Sequence, residues 1–375
     1  MKIILAPDKF KGSLTGIQFC NAVEEGIKDI IPSAEIVKLP LADGGDGTTA
    51  ILEYHLKGKR ISVTVHDPLF RPIRATYLFM ESVKTAFIEM AEASGLTLLK
   101  PEEQNCFYTT SLGTGELILD AINKGAKTIV LGIGGSATND CGIGMATALG
   151  YKFEDENGKT LSPIGKHLSQ VKNINRTHVI SSLKEVDFKV ACDVINPLFG
   201  LNGAAYVYGS QKGASKEEIA LLDKGLQHMS KLFLEIFNLN VQEIKGAGAA
   251  GGMGAGTKVF LNAELQSGIS LVKDLINFEE KIKEADWIIT GEGQLDSQTF
   301  SGKTIQGIIK SAKKESIPVA VLCGRSSLLK GETENFGISY TDTVMHHAKN
   351  FDDAIKNSYV YLKRMAITFA KRIKD

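Results

Sequence analysis

The chain has 375 residues, enough for two domains or for one large domain with an insertion. Its 43 Lys and Arg balance 43 Asp and Glu, so no global field draws it to nucleic acid or to an anionic membrane surface. With 43% hydrophobic residues, 38 glycines and 9 prolines it is neither disordered nor collagen-like, and glycine, roughly a tenth of the chain against about 7% on average, is the outlier.

Residues 2–6 predict a short apolar strand, followed by the loop APDKFKGSLT. Ile17, Cys20, Val23, Ile27 and Ile30 then recur at helical spacing until Pro32. The loop LADGGDGT precedes the helix-like Thr48–Leu56. From Ile61 the period becomes two: Ile61, Val63 and Val65 alternate with polar residues, and 74–80 and 85–90 follow across turn-like breaks, as in a β-meander. A helix over 115–123, a buried strand over 127–131 and a glycine-rich loop come next. Asn157-Gly158 has the composition of a two-residue hairpin turn. A strand is expected over 188–192. Ser215 and Glu218 form a capping box for a helix with Ile219, Leu222, Leu226, Met229, Phe233 and Ile236 on one face. After GAGAAGGMGAG the pattern gives a strand Trp287–Thr290 with Trp287 as a packing residue, a helix Thr304–Lys314, a strand over 318–322 and a final helix from Asp352.

The βα alternation at both ends and the hairpins between them predict an α/β protein. Segments 1–60 and 275–375 would share one doubly wound sheet, and 61–274 would form a second, mixed α/β domain. Cys20, Cys106, Cys141, Cys192 and Cys323 are odd in number and widely spaced, which suits free thiols in a reducing cytoplasm. MKIILAPDKF is too short in apolar residues for a signal peptide, and no apolar run reaches the 18 or so residues of a membrane span. These features predict a soluble cytosolic protein.

Fourteen of the 38 glycines fall in three loops, LADGGDGT, GIGGSATNDCGIG and GAGAAGGMGAG. Glycine lets backbone N–H groups approach an anion, and a helix beginning after such a loop adds partial positive charge, so the loops point to phosphate binding. The competing explanation is tight turns and close helix packing. Gly132-x-Gly134-x-x-Ala137 also fits a dinucleotide fingerprint, with Glu154 and Asp155 about twenty residues on. Gly246-x-Gly248-x-x-Gly251 fits the glycine spacing without a preceding strand, and an NAD-dependent hydroxyacid dehydrogenase is the alternative function. Gly302-Lys303-Thr304 imitates the end of a Walker A loop, but Ser297 stands at its first glycine, which excludes an ordinary P-loop. Asp8, Asp43, Asp46, Asp140, Asp193, Glu292 and Asp296 fall at predicted strand ends or in glycine loops, where α/β sheets bind ligands. Mg²⁺ with one or two carboxylates plus phosphate oxygens suits this set. The seven histidines are scattered or, at His346 and His347, adjacent, and make no transition-metal motif.

APDKFKGSLT, LADGGDGT, TTSLGTGEL, GIGGSATND, ACDVINPL, YGSQKGA, GAGAAGGMGAG and TGEGQLDSQTFSGK occur in the order found in the glycerate kinase family of bacterial type, which the chain resembles from end to end. The resemblance implies ATP-dependent phosphorylation of glycerate, most simply D-glycerate to 2-phosphoglycerate. It also implies a flavodoxin-like domain, a distinct α/β domain and an active site in the cleft between them. Three departures stand out: Asp46 replaces a Glu, Ser210 replaces a Pro, and Cys141 replaces a Gly.

Within that resemblance, Asp193 is the first candidate for general base and Asp8 the second; Asp193 could instead cap a turn with Asn196-Pro197. Lys11, Lys212 and Lys303 would meet ATP phosphates or the glycerate carboxylate. The backbones around Gly134, Gly135, Ser136 and Thr138 and around Gly248, Gly251 and Gly252 would cradle phosphate. Asp43, Gly44, Gly45, Asp140 and Gln211 would contact substrate, and Glu292 and Asp296 would hold Mg²⁺. The expected partners are small molecules, without nucleic acid or membrane, and no motif encodes an oligomeric state.

Overall fold

A computed structural model describes residues 1–10, 12–44, 47–296 and 304–374, the side chain of Lys330 excepted. The chain divides into two compact units, one of Met1–Asp43, Ala50–His55 and Ile269–Asp375, the other of Gly44–Thr49 and Leu56–Gly268.

The first unit is built on five parallel strands in the order Glu35–Lys38, Lys2–Leu5, Trp287–Thr290, Val319–Cys323 and Tyr340–Thr343. In chain order this is 2-1-3-4-5, the flavodoxin-like arrangement, with its topological switch between the first and third strands. Val319–Cys323 is buried at every position, as a parallel strand covered on both faces must be. One face carries Ile3, Leu5, Ile289, Ala320 and Leu322 against the helices Gly16–Lys28 and Ser358–Lys374. Trp287 packs edge-on to Phe369 at 5.0 Å between centroids, the packing role expected of it. The expected final helix is two, Phe351–Lys356 and Ser358–Lys374, broken at Asn357.

The second unit has a six-stranded sheet in the order Glu264–Gln266, Asp187–Ala191, Thr128–Gly132, Thr85–Glu89, Pro72–Met80 and Lys59–His66. The first four strands are parallel, and the last two complete the antiparallel meander read from the period of two. Register aligns Glu89, Gly132, Ala191 and Gln266 across the four parallel strands, so their carboxyl ends finish level. The capping box at Ser215 and Glu218 opens the helix Lys216–Phe237, which buries Ile219, Leu222, Leu226, Met229 and Phe233. Asn157-Gly158 does turn the chain, with Asp155 Oδ1 accepting from the N–H groups of Asn157 and Lys159. The strand partner of Lys152–Glu154, however, is the later Asn173–Asn175.

GAGAAGGMGAG departs most from expectation. It is a helix rather than a loop, Ala249–Leu261, interrupted by left-handed backbone at Ala250, Gly251 and Gly252. All five cysteines are unpaired thiols. Among the described residues no helix is long and apolar enough to cross a membrane.

Candidate active site

In the first unit the two strands flanking the switch point deliver their loops to one place. The N–H of Asp8 donates to Gly291 O at 2.9 Å, which ties the segment after Lys2–Leu5 to the segment after Trp287–Thr290. Asp8 is half-buried; its Oδ2 accepts from the Thr304 hydroxyl at 2.6 Å and its Oδ1 from the Lys9 N–H at 2.7 Å. Burial raises its pKa above the ordinary 3.8, the two donors oppose that rise, and the nearby charge of Asp43 adds to it. Glu292 and Asp296 are half-buried on the following segment. Asp296 Oδ2 accepts from Gln294 Nε2 at 3.0 Å, and the Glu292 charge is felt by the Cys323 thiol at the end of the neighbouring strand. Among the described residues no three His, Cys, Asp or Glu side chains converge into a metal site. Two carboxylates completed by phosphate oxygens are an ordinary Mg²⁺ environment, and Glu292 and Asp296 have the chemistry for it. Lys11, Gly45, Asp46 and Lys303 lie outside the described residues.

In the second unit the level strand ends carry the site residues. Asp193 follows Asp187–Ala191 and is exposed, with Oδ1 fixed by the Gly268 N–H at 3.0 Å, so it is held by the neighbouring strand end. Gly134 and Gly135 form an exposed turn after Thr128–Gly132, and a Cβ built on Gly134 would meet nothing within 4 Å. Gly44, with φ +86°, lies so close to the neighbouring strand ends that its own Cβ would stand 2.9 Å from Ala191 Cβ and from Gly268 Cα. Gln211 is exposed on the turn Ser210–Lys212. Ser136 and Thr138 are buried, and the Thr138 hydroxyl and both amide atoms of Asn139 find no partner in the protein. Buried polar atoms without partners are rare and mark a place where a polar ligand or water fits.

Three sequence expectations are corrected here. Asp140 is not a substrate contact. It is fully buried, with Oδ2 accepting from the Ser111 N–H at 2.8 Å, the Ser111 hydroxyl at 2.7 Å and the Gly144 N–H at 3.2 Å, and Oδ1 from the Gly142 N–H at 3.2 Å. Burial raises its pKa and these donors counter it; the carboxylate is an internal acceptor that joins two segments. Gly248, Gly251 and Gly252 do not line an open cradle either. All three are buried, and a Cβ would stand 2.2 Å from Pro197 O, 2.1 Å from Thr138 O and 3.0 Å from Cys141 Cα respectively, so close backbone packing demands glycine there. Lys212, expected at phosphate, is 4% exposed, and its ammonium donates to Ser136 Oγ at 2.7 Å and Thr138 O at 2.8 Å.

The dinucleotide fingerprint also fails. No helix opens on residues 134–137; the next one, Ile143–Ala148, starts after Gly142. Glu154 lies in a short hairpin and accepts from Asn173 and Asn175. Sequence reasoning missed Glu89, whose Oε1 accepts from the Thr49 N–H at 3.3 Å at the end of its strand, and Thr304, the partner of Asp8. A lone acid closing the run TAFIE was the only signal for Glu89.

A flavodoxin-like sheet with an acid at its switch point, and a second sheet whose level strand ends lead into an exposed glycine turn and an exposed carboxylate, have the layout of an α/β protein that binds a ligand at its strand ends. The glycerate kinase family model matches residues 3–374. A glycerate kinase of Bacillus subtilis (strain 168) is 41% identical over 374 residues, spanning 100% of this chain and 98% of its own. A glycerate 2-kinase of Escherichia coli (strain K12) is 42% identical over 356 residues, spanning 95% and 93%. A crystal structure from Salmonella typhimurium LT2, provisionally described as glycerate kinase 2, superposes with a TM-score of 0.90 at 39% identity, covering 100% of this chain and 98% of that one. The chain belongs to the glycerate kinase family and is an enzyme that transfers a phosphoryl group to glycerate. The dehydrogenase alternative has no support.

Proposed function

We propose that this enzyme uses ATP and Mg²⁺ to convert D-glycerate to 2-phosphoglycerate. The observation that carries the reading is Asp193, an exposed carboxylate anchored through Oδ1 after a strand whose parallel neighbour, in register at Gly132 and Ala191, leads into the exposed Gly134-Gly135 turn. The 42% identity to an E. coli protein named glycerate 2-kinase supports the choice of product.

Asp193 takes the proton of the glycerate hydroxyl during transfer, with Asp8 the second candidate. Positioned base catalysis contributes about 10²–10⁴-fold. The N–H groups of Gly134 and Gly135 face phosphate oxygens, since nothing occupies the space where a Gly134 side chain would stand. Glu292 and Asp296, both half-buried on the segment after Trp287–Thr290, would hold Mg²⁺ together with phosphate oxygens. Bound ATP and Mg²⁺ supply the phosphoryl group and the neutralisation of its charge.

A coupled assay for ADP release tests the reading: release depends on both glycerate and Mg²⁺, and NMR of the product shows phosphate on the 2-oxygen. ADP release that ignores glycerate, or phosphate on the 3-oxygen, overturns it in whole or in the choice of hydroxyl.

A further inference from the structure

A lysine amine is almost never buried without a purpose for its charge. Lys212 is rooted firmly: its N–H donates to Gly209 O at 3.1 Å and its carbonyl accepts from the Cys106 N–H at 3.0 Å. The next residue, Gly213, passes so close to Gln104 O that a Cβ would stand 1.8 Å from it. From that fixed base the side chain runs inward and spends two of its three N–H donors on Ser136 Oγ and Thr138 O, the two ends of one short stretch. That stretch continues directly from the exposed Gly134-Gly135 turn. Gly251 also packs against that stretch, close enough that a Cβ on it would stand 2.1 Å from Thr138 O.

We propose that Lys212 is a positioning residue: its buried ammonium, by holding Ser136 and Thr138 together, sets the shape of the 134–138 turn that receives a phosphate-bearing ligand. The proposal rests on the assignment of that turn to the nucleotide or the phosphorylated product. The amine's own environment makes the clamp sensitive to protonation. Burial lowers its pKa from 10.5 to about 8, against the opposing influence of Cys106 and Asp140, the ionisable groups that face it. A neutral amine keeps hydrogen-bond donors but loses the charge that makes these bonds strong. The clamp therefore loosens as the pH rises through about 8.

The test is the pH profile of kcat/KM from pH 6 to 10 for wild type, K212M and S136A, together with hydrogen–deuterium exchange of the peptide spanning 133–140. Wild type shows an alkaline limb near pH 8. K212M loses about 10²-fold in kcat/KM at pH 7, as expected for a displaced turn, and has no such limb. S136A, which removes one of the two acceptors, loses about tenfold. Exchange in 133–140 accelerates in both variants while the peptides of the first unit's sheet stay unchanged.

A K212M enzyme that keeps the wild-type kcat/KM or the wild-type pH profile overturns the proposal. If K212M does not fold, S136A with unaltered exchange and activity overturns it equally. Absence of glycerate-dependent ADP release in wild type refutes the functional reading itself, and the exchange data then judge the clamp alone.

Discussion

Replacing Gly251 by Ala distinguishes the two explanations of the glycine-rich segments. Gly251 has φ +70°, a left-handed conformation costing an L-residue about 1–2 kcal/mol. Its added Cβ would stand 2.1 Å from Thr138 O, and forcing the two backbones apart adds about 1–3 kcal/mol. The sum is about 3 kcal/mol, a fall in melting temperature of about 6–12 °C for a unit of this size. Gly134→Ala is the matched control. Gly134 lacks positive φ and has open space at the Cβ position, so its stability stays within about 0.5 kcal/mol of wild type. On the proposed reading of the 134–135 turn, the Gly134 variant should instead raise the KM for ATP, because a methyl group would then stand where phosphate oxygens are proposed to approach. Calorimetry and steady-state kinetics on both variants decide the matter. A Gly251→Ala enzyme that melts like wild type but binds ATP poorly would refute the packing argument and restore the second cradle.

Asp193→Asn should lower kcat by about 10²–10⁴-fold with an unchanged melting temperature, since Asn retains an acceptor for the Gly268 N–H; stopped assays with glycerate read this directly. Asp140→Ala strands four buried donors and should cost about 3–5 kcal/mol in urea denaturation, whereas loss of activity at full stability would return Asp140 to the substrate. Asp8 has a folded pKa above its ordinary 3.8, so the folded state holds its proton more tightly. Its contribution to stability is therefore present at low pH and is lost as the pH rises from 3.8 through the folded value. Asp8→Asn should accordingly melt no lower than wild type at pH 7 and gain relative to it as the pH is raised from 3.5 to 7.

Local signals gave the elements well. The period of two announced the meander, the Ser215–Glu218 box marked a helix start, and Thr48–Leu56 and Thr304–Lys314 fall where the pattern put them. GAGAAGGMGAG misled because glycine's poor helix propensity argues for a loop, while the tertiary requirement is a helix passing within van der Waals contact of another backbone. The burial of Lys212 and Asp140 was invisible for a related reason. Nothing local distinguishes a lysine or aspartate in a glycine-rich segment that faces water from one whose partners come from residues 136 and 138 or 111 and 144. That Asp8 and Asp193 would follow strand ends was legible, because the short apolar runs before them mark the strands; Asp8 comes after Lys2–Leu5 and Asp193 after Asp187–Ala191.

The order of strands in the first sheet also dictates the order in which the protein can be completed on the ribosome. Lys2–Leu5 is a central strand, yet Ile3 pairs with Trp287, 284 positions later in synthesis. At about 5–20 residues per second, roughly a quarter of a minute to a minute separates the emergence of the two partners. Throughout that interval the strand has Glu35–Lys38 on one side and an unsatisfied edge on the other. The six strands of the other unit are all made by residue 266 and can close without waiting. A released chain truncated between residues 268 and 287 should therefore display one protease-resistant unit and a tethered Lys2–Leu5 strand that keeps Glu35–Lys38 but has no partner on its other edge.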